Sequence, residues 1–284
     1  MRRLLRVGKQ LMKFDMSQAW NEAVAMIRGN AEVLLVVAGI FFFLPSLVMT
    51  LVMPDMAQFA ALDPENLEAI SAEITQVYAS WWWLIAIAFV LQLVGYLSLL
   101  ALLRDDARPT VGEAIKTGFT GLLPAIGSYL LFSFGLGLAL VLVVAPLAAL
   151  GVGALAAIAM LVALVGAIYA MVKVSLSAPV IAIEKVFNPI AVLARSWRLT
   201  KGNSLRIFGF FVLIMIVYFV LSMVVGMVIM GVLTLLGDSL GVIVNGVLSG
   251  LLGAFATVVF VAVLAAIHRQ LAGPSAAAVS ETFE

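Results

Sequence analysis

The sequence predicts an all-α, polytopic membrane protein with six transmembrane helices and cytoplasmic amphipathic helices at the membrane surface. Three observations lead there. Hydrophobic residues make up 64% of the 284 residues and charged ones only 11%, against roughly 45–50% apolar usage in soluble domains. Six apolar runs are each long enough for a bilayer crossing, which takes about 20 residues. The cations, finally, segregate between alternate connections, as the positive-inside rule requires.

Residues 1–30 form a basic amphipathic segment. Arg2, Arg6, Lys9 and Lys13 recur at helical spacing, flanked by Leu4, Leu5, Leu11 and Met12, so the stretch suits a charged membrane surface. The first apolar run starts only at Val33 and is too long for a signal-peptide core, which reads as an uncleaved span. The membrane domain covers 31–269, with spans near 33–53, 81–103, 122–150, 153–178, 207–236 and 241–268. At ~1.5 Å per residue the fifth run is ~45 Å long against a ~30 Å hydrocarbon core, and Gly209, Gly226 and Gly231 offer places for a bend. In the acidic connection after span 1, Asp63-Pro64 is a helix-start pair, and Leu67, Ile70, Ile74 and Val77 follow at helical spacing. That predicts a short outer helix leading into Trp81, Trp82 and Trp83, an interfacial belt. Residues 270–284 read as a disordered cytoplasmic tail.

All 16 basic residues fall before span 1, in the second and fourth connections with their flanks, or after span 6. The other connections carry Asp55, Asp63, Glu65, Glu68, Glu73 and Asp238. This pattern places both termini in the cytoplasm.

The connection between spans 4 and 5 carries the strongest local signal. Asn188 caps and Pro189 opens a helix, on which Ile190, Leu193 and Trp197 share one face while Arg195 and Arg198 take the other flank. Lys201, Gly202 and Asn203 end it. Two readings stand: a loop helix that joins two spans, or a binding site for anionic lipid or a protein partner built from Arg195, Arg198, Lys201 and Trp197. The stretch 196–208 can be laid over 23–35, pairing Lys201-Gly202-Asn203 with Arg28-Gly29-Asn30. A weaker copy at 111–127 places Gly121 there, so a three-fold repeat of helix plus hairpin is expected, with its axis along the membrane normal.

Chemistry is sparse. The chain contains no cysteine, no HExxH and no P-loop, so neither a metal nor another cofactor is expected, and no nucleic-acid motif is present. His268, the one histidine, reads as an interfacial residue, and Asp105-Asp106, flanked by Arg104 and Arg108, as a solvated turn. Lys173 either snorkels from the end of span 4 or, if that helix continues to Glu184, lies deeper against protein or a wet cavity. For Glu184 the expected partner is Arg195 or Arg198. Gln92 and Asn245 are expected to make interhelical hydrogen bonds, and Gly246, Gly250, Gly253 and Thr257 form a small-residue stripe for close helix packing, within the chain or in a second copy.

Pro179 and Glu184, Asn188-Pro189, Ala194-Arg195-Ser196-Trp197 and Leu199-Thr200-Lys201-Gly202-Asn203 together resemble the membrane domain attached to some bacterial glycerophosphodiester phosphodiesterases and its stand-alone six-span relatives. The resemblance implies the fold and an inner-membrane location; it does not imply the phosphodiesterase activity, because the soluble catalytic domain has no counterpart here. Two functional readings follow. The first is a non-enzymatic envelope or lipid-homeostasis module that uses its basic interfacial helices. The other, a transporter or permease component, needs a midplane polar site around Lys173.

Overall fold

The computed structural model describes residues 13–53, 66–104, 109–149, 153–236 and 238–273. Every regular element among them is helical: α1 (Met16–Gly29), α2 (Ala31–Ala38), a π-helical turn (Gly39–Phe43), α3 (Leu44–Val52), α4 (Leu67–Leu102), α5 (Val111–Ala149), α6 (Gly153–Val174), α7 (Ser177–Ala182), α8 (Pro189–Leu199), α9 (Ser204–Leu236) and α10 (Asp238–Ala272). Six helical stretches are long and apolar enough to cross a membrane: Ala31–Val52, Leu67–Leu102, Val111–Leu147, Gly153–Ala182, Ser204–Gly231 and Leu240–Ala272. The number and order of spans are those the hydropathy predicts. The Asp105-Asp106 turn, the Asp63-Pro64 pair, residues 1–12 and the 274–284 portion of the tail lie outside the described residues.

Helix starts follow local chemistry. The Asp15 carboxylate accepts from the Gln18 N–H at 2.9 Å, and Asn188 Oδ1 accepts from Ile190 and Ala191 at 3.0 and 3.2 Å, so α1 and α8 begin on capped turns. Thr110 and Glu113 form a reciprocal capping box, with the Thr110 N–H donating to Glu113 at 2.9 Å and the Glu113 N–H to Thr110 Oγ1 at 3.3 Å. From that box α5 runs unbroken for 39 residues. The separate helix expected over 111–127 is therefore the first part of the span itself. Likewise the outer helix expected before Trp81 is continuous with its span: α4 is one helix of 36 residues capped by Asn66. At ~1.5 Å per residue α4 is ~54 Å long, well beyond a ~30 Å hydrocarbon core.

The core lies along α4 and α10. In their most apolar stretches 44% and 56% of the residues are buried, whereas in those of α5 and α9 none is fully buried. Close approach rests on glycines. A Cβ on Gly118 of α5 would fall on Ser98 Oγ and 2.5 Å from the Val94 carbonyl oxygen, and one on Gly121 would stand 2.9 Å from both Leu97 and Ile181. On α10, Gly246 meets Leu47 and Thr50 and Gly250 meets Phe43, so this half of the small-residue stripe packs against the first span of the same chain.

Because the α4–α5 contact leaves no space at Gly118, Gly118→Val should lower stability by about 1–3 kcal/mol, seen as a lower Tm of the detergent-solubilised protein. Gly112→Ala, whose Cβ would meet nothing within 4 Å, is the matched control and should leave Tm unchanged or slightly higher.

Candidate functional site at the basic end

The short helices α1, α7 and α8 gather at one end of the bundle, and most described cations lie there with them. What positions α8 is a fault in the fourth span. Between α6 and α7 the chain turns at Ser175–Leu176, which frees backbone groups that hydrocarbon cannot satisfy. Ser196 of α8, fully buried, repairs the fault. Its hydroxyl donates to the Lys173 carbonyl at 2.8 Å and accepts from the Leu176 N–H at 3.1 Å. Thr200, also buried, holds its hydroxyl 3.4 Å from the same carbonyl.

Glu184 closes the arrangement. The Arg195 Nε–H donates to its two oxygens at 3.1 and 2.8 Å, and the His268 Nε2–H donates to Oε1 at 2.8 Å. One carboxylate thus joins the segment after α7 to both α8 and α10. Arg195 is the partner expected from the sequence. His268 lies near the end of the last span, as expected, but is buried, 4% exposed, where it links that span to the connection after α7. Burial of Glu184 would raise its pKa. The hydrogen bonds from His268 and Arg195, together with the positive charge facing it, outweigh that and hold the carboxyl at about 2, below the ordinary 4.5. Lys185, next in the chain, has φ 55°, a left-handed conformation that reverses the backbone before α8.

Lys173 does not snorkel. It is 2% exposed, with its Nζ 5.4 Å from the Tyr169 ring centre and 5.6 Å from that of Trp197. Those rings meet edge to face at 6.0 Å. Two desolvated cation–π contacts at about 2 kcal/mol each are comparable to the ~2.5–3.5 kcal/mol that an intramembrane lysine costs on insertion scales. No ion pair to Lys173 is found among the described residues.

On α8 the packed face is Val192, Ser196 and Leu199, while Ile190 and Trp197 are exposed at 68% and 44%. Arg198 and Lys201 are exposed beside them. The two remaining predicted residues do not join this cluster. Gln92 is exposed on α4 with no hydrogen-bond partner among the described residues, and Asn245 accepts only from Ser249 of its own helix at 3.2 Å. Neither makes the interhelical bond expected of it. Helical spacing gives the face a residue lies on, but not whether a neighbour offers a polar group there.

A second feature escaped the sequence. A lateral crevice of about 1230 Å³ opens between α4, α9 and α10 beneath α1. Gln92, Tyr96, Gly253 and Thr257 line it; Lys173 does not.

Removing the charge in Glu184→Gln should cost about 2 kcal/mol at neutral pH, the scale of hydrogen bonds to an ionised group. Since the folded pKa lies below the unfolded one, this contribution is complete above about 4.5 and is lost as pH falls toward 2. Equilibrium unfolding of the two proteins should therefore show a constant gap from pH 7 to pH 5 that narrows below 4.5. Ser196→Ala, which leaves the Lys173 carbonyl and the Leu176 N–H without their partner, should cost about 1–3 kcal/mol by the same measurement.

No family model matches the chain, and no curated protein or solved structure is significantly similar to it.

Proposed function

We propose that the chain is a non-enzymatic module of the cell inner membrane, with both termini in the cytoplasm, whose basic end binds anionic lipid headgroups. The observation that carries this is the exposed side of α8. Ile190 and the half-exposed Trp197, whose ring also covers Lys173, lie beside Arg198 and Lys201, the pairing of apolar body and cation that suits a helix lying in the headgroup plane. On this reading α8 is an interfacial amphipathic helix pinned by Ser196 and Glu184. Arg195 serves the fold through its ion pair, and Arg198, Lys201 and Trp197 meet the lipid. The envelope or lipid-homeostasis role expected from the resemblance belongs to the same proposal.

The internal repeat is proposed for two copies. A short helix ends directly before Asn30 and, at Leu199, a four-residue turn before Ser204; in both places the asparagine carbonyl accepts a backbone bond from the following span, Asn30 from Leu34 and Asn203 from Ile207, each at 3.0 Å. The third copy has no such turn, since Gly121 lies inside the unbroken α5. Transport finds less support: Lys173, the residue that encouraged it, is packed under aromatic rings and not on the crevice wall.

The chain has no cysteine, so single-cysteine labelling is clean. A membrane-impermeant maleimide applied to intact spheroplasts should modify Ala60→Cys and spare Arg198→Cys; the opposite pattern removes the cytoplasmic assignment. For lipid binding, each of Arg198→Glu and Lys201→Glu should lower phosphatidylglycerol retained over phosphatidylcholine by roughly fivefold or more, from about 1 kcal/mol per cation near an anionic surface. Native mass spectrometry of the purified protein reads the ratio, and unchanged retention in both variants overturns the proposal.

A further inference from the structure

The crevice is walled by one stripe from each of three spans. Phe89, Gln92, Leu93 and Tyr96 come from α4, Phe210 to Leu221 from α9, and Leu252 to Phe260 from α10. It exists because α9 leans on α10, α6 and α1 but stands off from α4. Its walls are almost entirely apolar, while its upper margin is not: Ser17, Trp20 and Asn21 of α1 border it at the basic end. Arg206, exposed and one turn before Phe210 on α9, continues the α9 stripe to that margin by helical spacing. Among the described residues Arg206 makes no ion pair.

We propose that this crevice is a binding site for one anionic phospholipid, with an acyl chain lying along the α9–α10 wall and its phosphate at the margin formed by Arg206, Ser17 and Asn21. The charge at the margin and the apolar shaft below it match the two ends of such a molecule. A cation and hydroxyl or amide donors suit a phosphate diester, Trp20 suits the headgroup level, and flexible methylene chains fill an irregular apolar wall. A transmembrane helix from another protein or a second copy is the poorer occupant. Close helix packing in membranes favours small residues; α10 offers Gly253, Ala256 and Thr257 here, but the facing walls of α4 and α9 present Phe89, Tyr96, Phe210 and Tyr218. The inference shares with the preceding proposal only the placement of the basic end at a membrane face. It assigns a different site, so Arg198 and Lys201 play no part in it.

The test uses the full chain reconstituted in phosphatidylcholine vesicles containing phosphatidylglycerol with a photoreactive group midway along one acyl chain. After irradiation, labelled peptides should concentrate on the crevice faces of α9 and α10. Gly253→Leu should lower the label on the α10 wall, because a Cβ there meets nothing within 4 Å and the added side chain projects into the crevice. Arg206→Gln should lower phosphatidylglycerol labelling by about fivefold, the equivalent of about 1 kcal/mol, and leave labelling by an equivalent phosphatidylcholine probe unchanged. Label spread evenly onto the exposed face of α5, label indifferent to both substitutions, or cross-links between two copies at these residues would each overturn the proposal. Loss of lipid retention in the Arg198 and Lys201 variants with crevice labelling intact, or the reverse, separates the two sites.

Discussion

A span that breaks before it leaves the membrane must find partners for the backbone groups it exposes, and the basic end of this protein is arranged around that requirement. The turn between α6 and α7 presents a carbonyl and an N–H in a fully buried place, and Ser196 answers both. α8 lies across the break and brings that side chain there, so a backbone requirement joins the Glu184–Arg195 ion pair in fixing its position. Once it is fixed, Trp197 closes over Lys173.

The remaining contacts tie this helix to distant parts of the chain. Through His268, Glu184 engages the last span. On the other side of that span the Asp15 N–H and carbonyl exchange bonds with Gln270, each at 3.2 Å, and the Phe14 N–H reaches Asn203 Oδ1 at 3.0 Å. The start of α1, the turn before α9 and the end of α10 are thereby held together by polar bonds. Elsewhere the spans meet through apolar side chains and glycine backbones. Among the described residues the polar contacts between elements concentrate at the end where the short helices turn, and packing governs the interior.

Much of this was legible in the residues. Six apolar runs mark six spans, Asn188-Pro189 marks the start of α8, and Glu184 with Arg195 forms the expected pair. Gly246 and Gly250 do what a small-residue stripe does. The unread parts share a cause: they depend on neighbours far away in sequence. Ser196 looks like any helix serine until the break it serves, 20 residues earlier, is in view. His268 lies near the end of an apolar run, which gives its depth along the helix but not the carboxylate beside it. Gly118 is an ordinary helix glycine by propensity, and only the Val94 carbonyl opposite explains it. Hydropathy also misplaces helix ends, since Asn66 and Thr110 start helices whose first turns are too polar to count as membrane.

The π-helical turn at Gly39–Phe43 sets the rotation of the first span. A π turn is an α-helix holding one surplus residue, so the first span can be viewed as a regular helix that absorbed an insertion without shifting its ends. Its three consecutive phenylalanines are divided between two neighbours, Phe41 and Phe42 against Gly95 and Phe43 against Gly250. Without that surplus residue the second half of the span would be rotated relative to the first, and the phenylalanines would no longer meet the glycine notches on α4 and α10 together.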